Sequence, residues 1–277
     1  MKNVLKKAGA AVLALTLTAA LAGCGSSASS AAASSDTAAA STADTADETE
    51  LDKVKAAGKL VVGVEGTYPP FTYHDDNGEL TGLDIELGKA LADKLGVEVE
   101  FQEAAWDSLL IGIDTERFDT VINSVSITDE RAELVDFSDS YYDSNQAIVI
   151  MKGAYSDKAA LNDASITVAA QSGTSGEAWV AENLPKAKYV PFTATTDAVT
   201  ALVAGQVQAV VYDQPIAETH VATQFTGCEV LEVIATGEQY GIAVNKANSQ
   251  LLADINTCLK AMEEDGTMDS LREEYLG

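Results

Sequence analysis

Two similar α/β lobes are the fold this sequence predicts, on three observations. Beyond residue 50, short apolar runs alternate with segments of helical period, as strands and helices packed in layers require. A helix, a short turn and an apolar strand leading into polar residues follow one another twice, once from Trp106 and again from Asp197. Two more apolar runs, residues 147–151 and 240–244, lie between the halves and near the far end, where they serve as crossover strands.

Leu60-Val-Val-Gly-Val64 predicts a buried strand. Tyr68-Pro-Pro-Phe71 predicts a rigid loop, because proline fixes φ and restrains the residue before it. Asp76-Asn-Gly78 is a turn signal. A helix is expected over residues 84–95, with Leu87, Leu91 and Leu95 on one face and Gly96 as its stop. Val97-Glu-Val-Glu-Phe101 alternates as a strand does. Residues 106–114 are expected to be helical, and 120–122 to form a strand running into a polar loop at Asn123, Ser124 and Ser126. In the second half, residues 197–204 predict a helix stopped by Gly205, and 209–211 a strand. Leu252, Ile255, Leu259 and Met262 fall at i, i+3, i+7 and i+10, the spacing of an amphipathic helix. Gly266 ends it before a last short helix through Leu271 and Tyr275. The first lobe is expected at residues 51–147 and 241–277, and the second at 148–240 with the crossover strands at its ends.

The N-terminus predicts the compartment. Lys2, Lys6 and Lys7 precede an uncharged stretch of roughly 15 residues, shorter than the about 20 apolar residues a bilayer span needs. Its length and flanks fit a signal peptide over residues 1–23. It ends in Leu21-Ala-Gly-Cys24, which resembles a bacterial lipobox, in which the cysteine becomes the lipid-bearing first residue. Residues 24–50 are almost entirely Ser, Ala, Thr, Asp and Glu, too poor in apolar surface to offset ordering entropy, and predict a flexible tether. Without the three leader lysines, 14 basic residues face 43 acidic ones, a net charge of −29. That balance argues against a nucleic-acid partner, which needs clustered Lys and Arg. Only His74 and His220 are present, and Cys228 and Cys258 lack metal-ligand spacing, so no metal or cofactor is expected. The two cysteines are expected as separate buried thiols.

Asp119-Thr-Val-Ile-Asn-Ser-Val-Ser-Ile-Thr-Asp-Glu-Arg131 is the most informative stretch. A strand leads into polar residues, Thr128 is placed as a helix N-cap, and Arg131 stands three residues on. Ligands of open α/β sheets sit beyond the carboxyl ends of strands, where an arginine can grip a carboxylate through two parallel hydrogen bonds. An arginine in the first turn of a surface helix is the plainer reading of the same pattern.

Val64-Glu-Gly-Thr-Tyr-Pro-Pro-Phe71, Gly82-Leu-Asp-Ile-Glu86, Arg117-Phe-Asp119, Ser126-Ile-Thr-Asp-Glu-Arg131 and Asp136-Phe-Ser138 occur in order. Together they resemble the polar amino-acid family (family 3) of solute-binding proteins of bacterial ABC transporters, over roughly residues 51–277. The resemblance implies a two-lobed periplasmic-binding-protein fold of type II, a ligand in the cleft, ABC permease subunits as partners, and attachment to the outer face of the cell membrane through the lipid on Cys24. It also implies roles. Arg131 would hold the ligand's α-carboxylate and Asp213 its α-ammonium. Ser124 and Ser126 would meet the ligand's backbone groups, Tyr68 would pack on its stem, and Thr174 and Ser175 would reach it from the Gln171-Ser-Gly-Thr-Ser175 loop. Asn123, Gln171 and Trp106 are candidates for the side-chain pocket. Trp179 is expected in the core.

Arg117-Phe-Asp119 with Val121-Ile-Asn123 resembles the cystine-binding subfamily. Ser140, Gln208 and Asn123 depart from common family residues (Pro, Asp, and Ser or Gly). With no second acid placed by a motif, a neutral polar ligand is expected, cystine first and glutamine next. A dehydratase-like enzyme on the same fold is the alternative. Gly173-Thr-Ser-Gly176 lacks the spacing of a nucleophile elbow, and no histidine is placed to activate Ser175, so a binder rather than an enzyme is expected.

Overall fold

The computed structural model describes residues 50–277. The expected leader, Cys24 and the tether up to residue 49 lie outside them. The described chain opens with α1 (Glu50–Ala57), which the sequence reading does not separate from the end of the tether. The first half then builds β1 (Lys59–Val64), a small hairpin sheet of β2 (Thr67–Tyr68), β3 (Thr72–His74) and β4 (Leu80–Thr81), α2 (Leu83–Leu95), β5 (Glu98–Glu103), α3 (Trp106–Asp114), β6 (Thr120–Ser126), α4 (Asp129–Ala132) and β7 (Asp136–Phe137). β8 (Tyr142–Met151) carries the chain to the second half, which holds β9 (Thr167–Gln171), α5 (Ser175–Asn183), β10 (Lys188–Phe192), α6 (Thr195–Val203), β11 (Ala209–Asp213) and α7 (Gln214–Thr223). β12 (Cys228–Val244) returns to the first half, closed by α8 (Ser249–Glu264) and α9 (Thr267–Leu276).

The strand order is β10-β9-β11-β8-β12-β6-β1-β5, with β7 beside β12. Each half contains a parallel triplet whose first strand lies in the middle, β5-β1-β6 and β10-β9-β11. β8 and β12 pair antiparallel from Cys228 opposite Met151 to Tyr240 opposite Tyr142. The apolar runs 147–151 and 240–244 are opposite ends of these two strands. Between them the ladder is irregular: the step from Ile234 to Glu238 faces only the step from Gln146 to Ser144.

α2 begins at Leu83 and stops at Gly96, whose φ of 76° is the left-handed conformation that glycine takes without strain. Its Leu83, Leu87 and Leu91 are fully buried with Leu60, Val62 and Val64 of β1 in one core cluster. Burying each such side chain contributes about 1.5–3 kcal/mol. The α8 face is rotated slightly from the expected one: Leu251, Ile255, Leu259 and Met262 are buried, whereas Leu252 is partly buried. Cys228 and Cys258 are free, buried thiols. Trp179 packs partly buried against the core of the second half, and Phe71 is fully buried.

One expectation is corrected. Asn123, Ser124 and Ser126 are not in a loop, because β6 continues through Ser126 with every residue buried. Pairing with β12 sustains it, Ser126 opposite Tyr240 and Val125 opposite Gly241. Its polar side chains are tolerated there because each has a hydrogen-bond partner.

Candidate functional site

The carboxyl ends of β1, β6, β9 and β11 converge on one cavity of about 310 Å³, counting space open to solvent. It is lined by Tyr68, Trp106, Asn123, Ser124, Ser126, Arg131, Gln171, Thr174, Ser175 and Asp213, together with Glu65. All ten residues singled out in the sequence therefore surround a single space.

Arg131 is delivered by the strand-to-helix turn. Thr128 caps α4, its hydroxyl accepting from the Arg131 backbone N–H. The side chain turns back so that Nη1 donates to the Ser126 carbonyl at 2.8 Å and Nη2 to the Gly173 carbonyl at 3.1 Å. Trp106 Nε1 donates to the same Gly173 carbonyl at 3.2 Å, and the guanidinium lies 5.1 Å from the Trp106 ring centroid. Gly173 has φ +74° in the turn before α5. Burial draws the Arg131 pKa down, and Asp213 and Glu238 oppose that shift. A guanidinium has five N–H donors, so two carbonyl bonds leave others for a ligand.

Asp213 ends β11 and is 7% exposed. It precedes α7 without capping it; the carboxylate instead accepts from Tyr68 Oη and Tyr240 Oη, both at 2.8 Å, and from Gln146 Nε2 in a very short contact. Burial, then the neighbouring Glu238, raises its pKa to about 6, against the lowering effect of the three donors.

The serines are already engaged. Ser124 has φ 49°, and its hydroxyl donates to buried Asp84 at 2.9 Å. The hydroxyls of Ser126 and Ser175 each donate to Glu238 Oε2 at 2.7 Å. Thr174 donates to the Gln171 carbonyl at 2.7 Å and caps α5. Asn123 Oδ1 accepts from the Glu65 backbone N–H at 2.7 Å, and Gln171 Nε2 reaches both Glu65 carboxylate oxygens at 3.1 Å.

Sequence reasoning did not single out Glu65, Gln146, Glu238 or Tyr240. Glu65 had a usable signal, since it directly follows β1, where strand ends meet ligands. The residue is 7% exposed, and burial pushes its carboxyl pKa up. With Asp213 it makes the cavity wall more acidic than the single Arg131 offsets.

A family model described as bacterial extracellular solute-binding proteins, family 3, matches residues 60–277. The chain belongs to this family. This family 3 chain is 34% identical to the L-cystine-binding protein TcyJ of Escherichia coli (strain K12) over 233 residues, 84% of this chain and 88% of that one. It is 34% identical to the L-cystine-binding protein TcyA of Bacillus subtilis (strain 168) over 277 residues, 99% of this chain and 98% of that one. Among solved structures, the ancestral amino acid-binding protein AncCDT-1, a precursor of cyclohexadienyl dehydratase, matches with a TM-score of 0.78 at 38% identity, covering 82% of this chain and 99% of that one. An ancestral arginine-binding protein bound to arginine matches with a TM-score of 0.76 at 39% identity, covering 79% and 99%. The type II two-lobed fold and the resemblance to the cystine-binding subfamily both hold, and the family's role is solute binding.

Proposed function

We propose that this chain is an amino-acid-binding lipoprotein of an ABC importer, anchored through Cys24 outside the cell, that closes on its ligand and delivers it to the permease. The observation that carries this reading is that Arg131 and Asp213 line the same cavity. Arg131 takes the ligand's α-carboxylate and Asp213 its α-ammonium. Tyr68 and Trp106 wall the stem, Asn123 and Gln171 face the side chain, and Ser124, Ser126, Thr174 and Ser175 surround the backbone groups. The lobes are residues 51–147 with 241–277, and 148–240. Only the closed arrangement offers both charged partners, so ligand shifts the balance toward it. Hydrogen bonds to charged groups contribute about 1.5–3 kcal/mol each, and a micromolar ligand needs about −8 kcal/mol in all. A few such bonds with ring packing are enough after closure costs.

Cystine is the first ligand, on the likeness to TcyJ and TcyA. Its distal ammonium would meet Glu65. A second reading is an amino acid with a cationic side chain, such as arginine. The buried Glu65 carboxylate favours it, and so does the likeness to an arginine-binding protein. Glutamine, the neutral alternative, leaves Glu65 without a cation. Calorimetry with L-cystine, L-arginine, L-glutamine, L-glutamate and L-histidine separates these readings. Cystine is expected to bind most tightly; tightest binding of arginine selects the second reading, and binding of none of the five rejects the amino-acid reading. The dehydratase alternative predicts turnover, whereas a binder returns its ligand chemically unchanged.

A further inference from the structure

Glu238 lies on β12 in the irregular part of its ladder with β8, between the two halves of the sheet. Its Oε2 accepts from Ser126 Oγ at 2.7 Å, from Ser175 Oγ at 2.7 Å and from Gln146 Nε2 at 3.2 Å. The same Gln146 Nε2 also donates to Asp213, so the two carboxylates share one amide. These bonds use up particular atoms. A serine hydroxyl has one proton, and a glutamine amide has two. With its proton on Glu238, each serine presents only lone pairs to the cavity. Gln146 has likewise committed both its N–H groups, shared among Asp213, Ser175 and Glu238. This corner of the cavity therefore offers acceptors: the Asp213 carboxylate, two serine oxygens and the second carboxylate behind them.

We propose that Glu238 is a positioning residue that orients Ser126 and Ser175 as acceptors and, with Asp213, makes this corner a receptor for the ligand's α-ammonium. An ammonium brings three N–H donors and no acceptor. Asp213 alone does not serve them, because its oxygens already accept from Tyr68, Tyr240 and Gln146. Two serine lone pairs held in place by Glu238 complete the set, and the carboxylate of Glu238 stands directly behind both hydroxyls. If instead the serines served the ligand's carboxylate, their protons would have to leave Glu238. Its carboxylate would then be an internal stand-in for the ligand's, and removing it would tighten binding.

The inference rests on the amino-acid reading of the site and is tested separately from it. Glu238→Gln and Glu238→Ala are compared with wild type by calorimetry, using L-cystine, its decarboxylated analogue cystamine and its deaminated analogue dithiodipropionic acid. L-arginine, agmatine and guanidinovaleric acid form a parallel set. In the set whose amino acid wild type binds, both variants are expected to weaken the amino acid and the amine by about tenfold or more. The deaminated acid is expected to bind no worse than before. Equal weakening of amine and deaminated acid would reduce Glu238 to a structural support. Tighter amino-acid binding by the variants would make it the stand-in carboxylate. Either result overturns the inference while wild-type binding still stands. If wild type binds no amino acid, the amino-acid reading fails and takes this inference with it.

Discussion

The charges facing the cavity make the sharpest predictions at the scale of single residues. Arg131→Ala and Asp213→Ala each leave one charged group of the ligand without its partner, a loss of about 3–5 kcal/mol for a buried pair. Each variant is expected to weaken amino-acid binding a hundredfold or more while its circular dichroism stays that of wild type; near-normal affinity in either removes that residue from the site. Asp213 also predicts a pH dependence. Its pKa stands near 6, so below that value the free protein holds a proton that an ammonium must displace. The dissociation constant should be flat above pH 7 and rise by up to about tenfold per unit below 6. An affinity unchanged between pH 7.5 and 5 would contradict the pairing of Asp213 with the ammonium. Glu238 was not legible in the sequence, and Glu65 only through its place just after β1, for a physical reason. A lone acid beside a glycine has no periodicity, and what ties each one to the site is contact with residues far along the chain, Gln171 for Glu65 and Ser126 and Ser175 for Glu238.

Among the elements, those with a strong local rule were legible. The spacing of α2 and its glycine stop predicted the helix to within a residue, and α3 spans Trp106–Asp114 as its pattern required. The polar end of β6 and the polar middle of β8 and β12 were not legible. Their conformation is imposed by partners across the sheet, and their side chains are satisfied by groups that no local window contains. α7 holds a different kind of exception. His220 is fully buried between Tyr212 and Phe225, at ring-centroid distances of 5.7 and 5.4 Å, and neither ring nitrogen has a hydrogen-bond partner among the described residues. Burial lowers its pKa to about 4, below the unfolded value of about 6.5. The neutral ring's contribution is thus fully present above pH 6.5 and is lost as pH falls through 4, an acid penalty of about 3 kcal/mol. The melting temperature of His220→Phe relative to wild type should rise as pH is lowered from 7 to 4.5. A difference that does not change with pH would mean that the imidazole is hydrated or paired.

For the whole molecule, the acidic balance and the expected anchor combine. A net charge of −29, without the leader proposed for removal, favours a soluble, self-repelling body. The proposed lipid would supply what that charge cannot, residence at the membrane. One acyl chain gives only marginal binding, so the proposed anchor requires more than one. Cys24→Ala is expected to shift the protein from the membrane fraction to the soluble one with its ligand affinity unchanged. Retention of the variant on the membrane would rule out Cys24 as the attachment point. In the proposed closure, the two crossing strands between the halves would be the hinge, and their irregular stretch holds Glu238 and faces Gln146.

The return of the chain along β12 also orders events in time. α8 and α9 share the core of α2, Arg272 donates to the Tyr141 carbonyl, and Lys94 pairs with Asp265 across 2.7 Å. A growing chain that has made β1, α2 and β5 still lacks the helices that pack on α2 and the strand that flanks β6, and obtains these only after residues 228–276 emerge. Contacts between such distant parts of a chain form slowly. The core of the first half is therefore completed last, a delay that would suit the proposed export of the chain across the membrane before it folds.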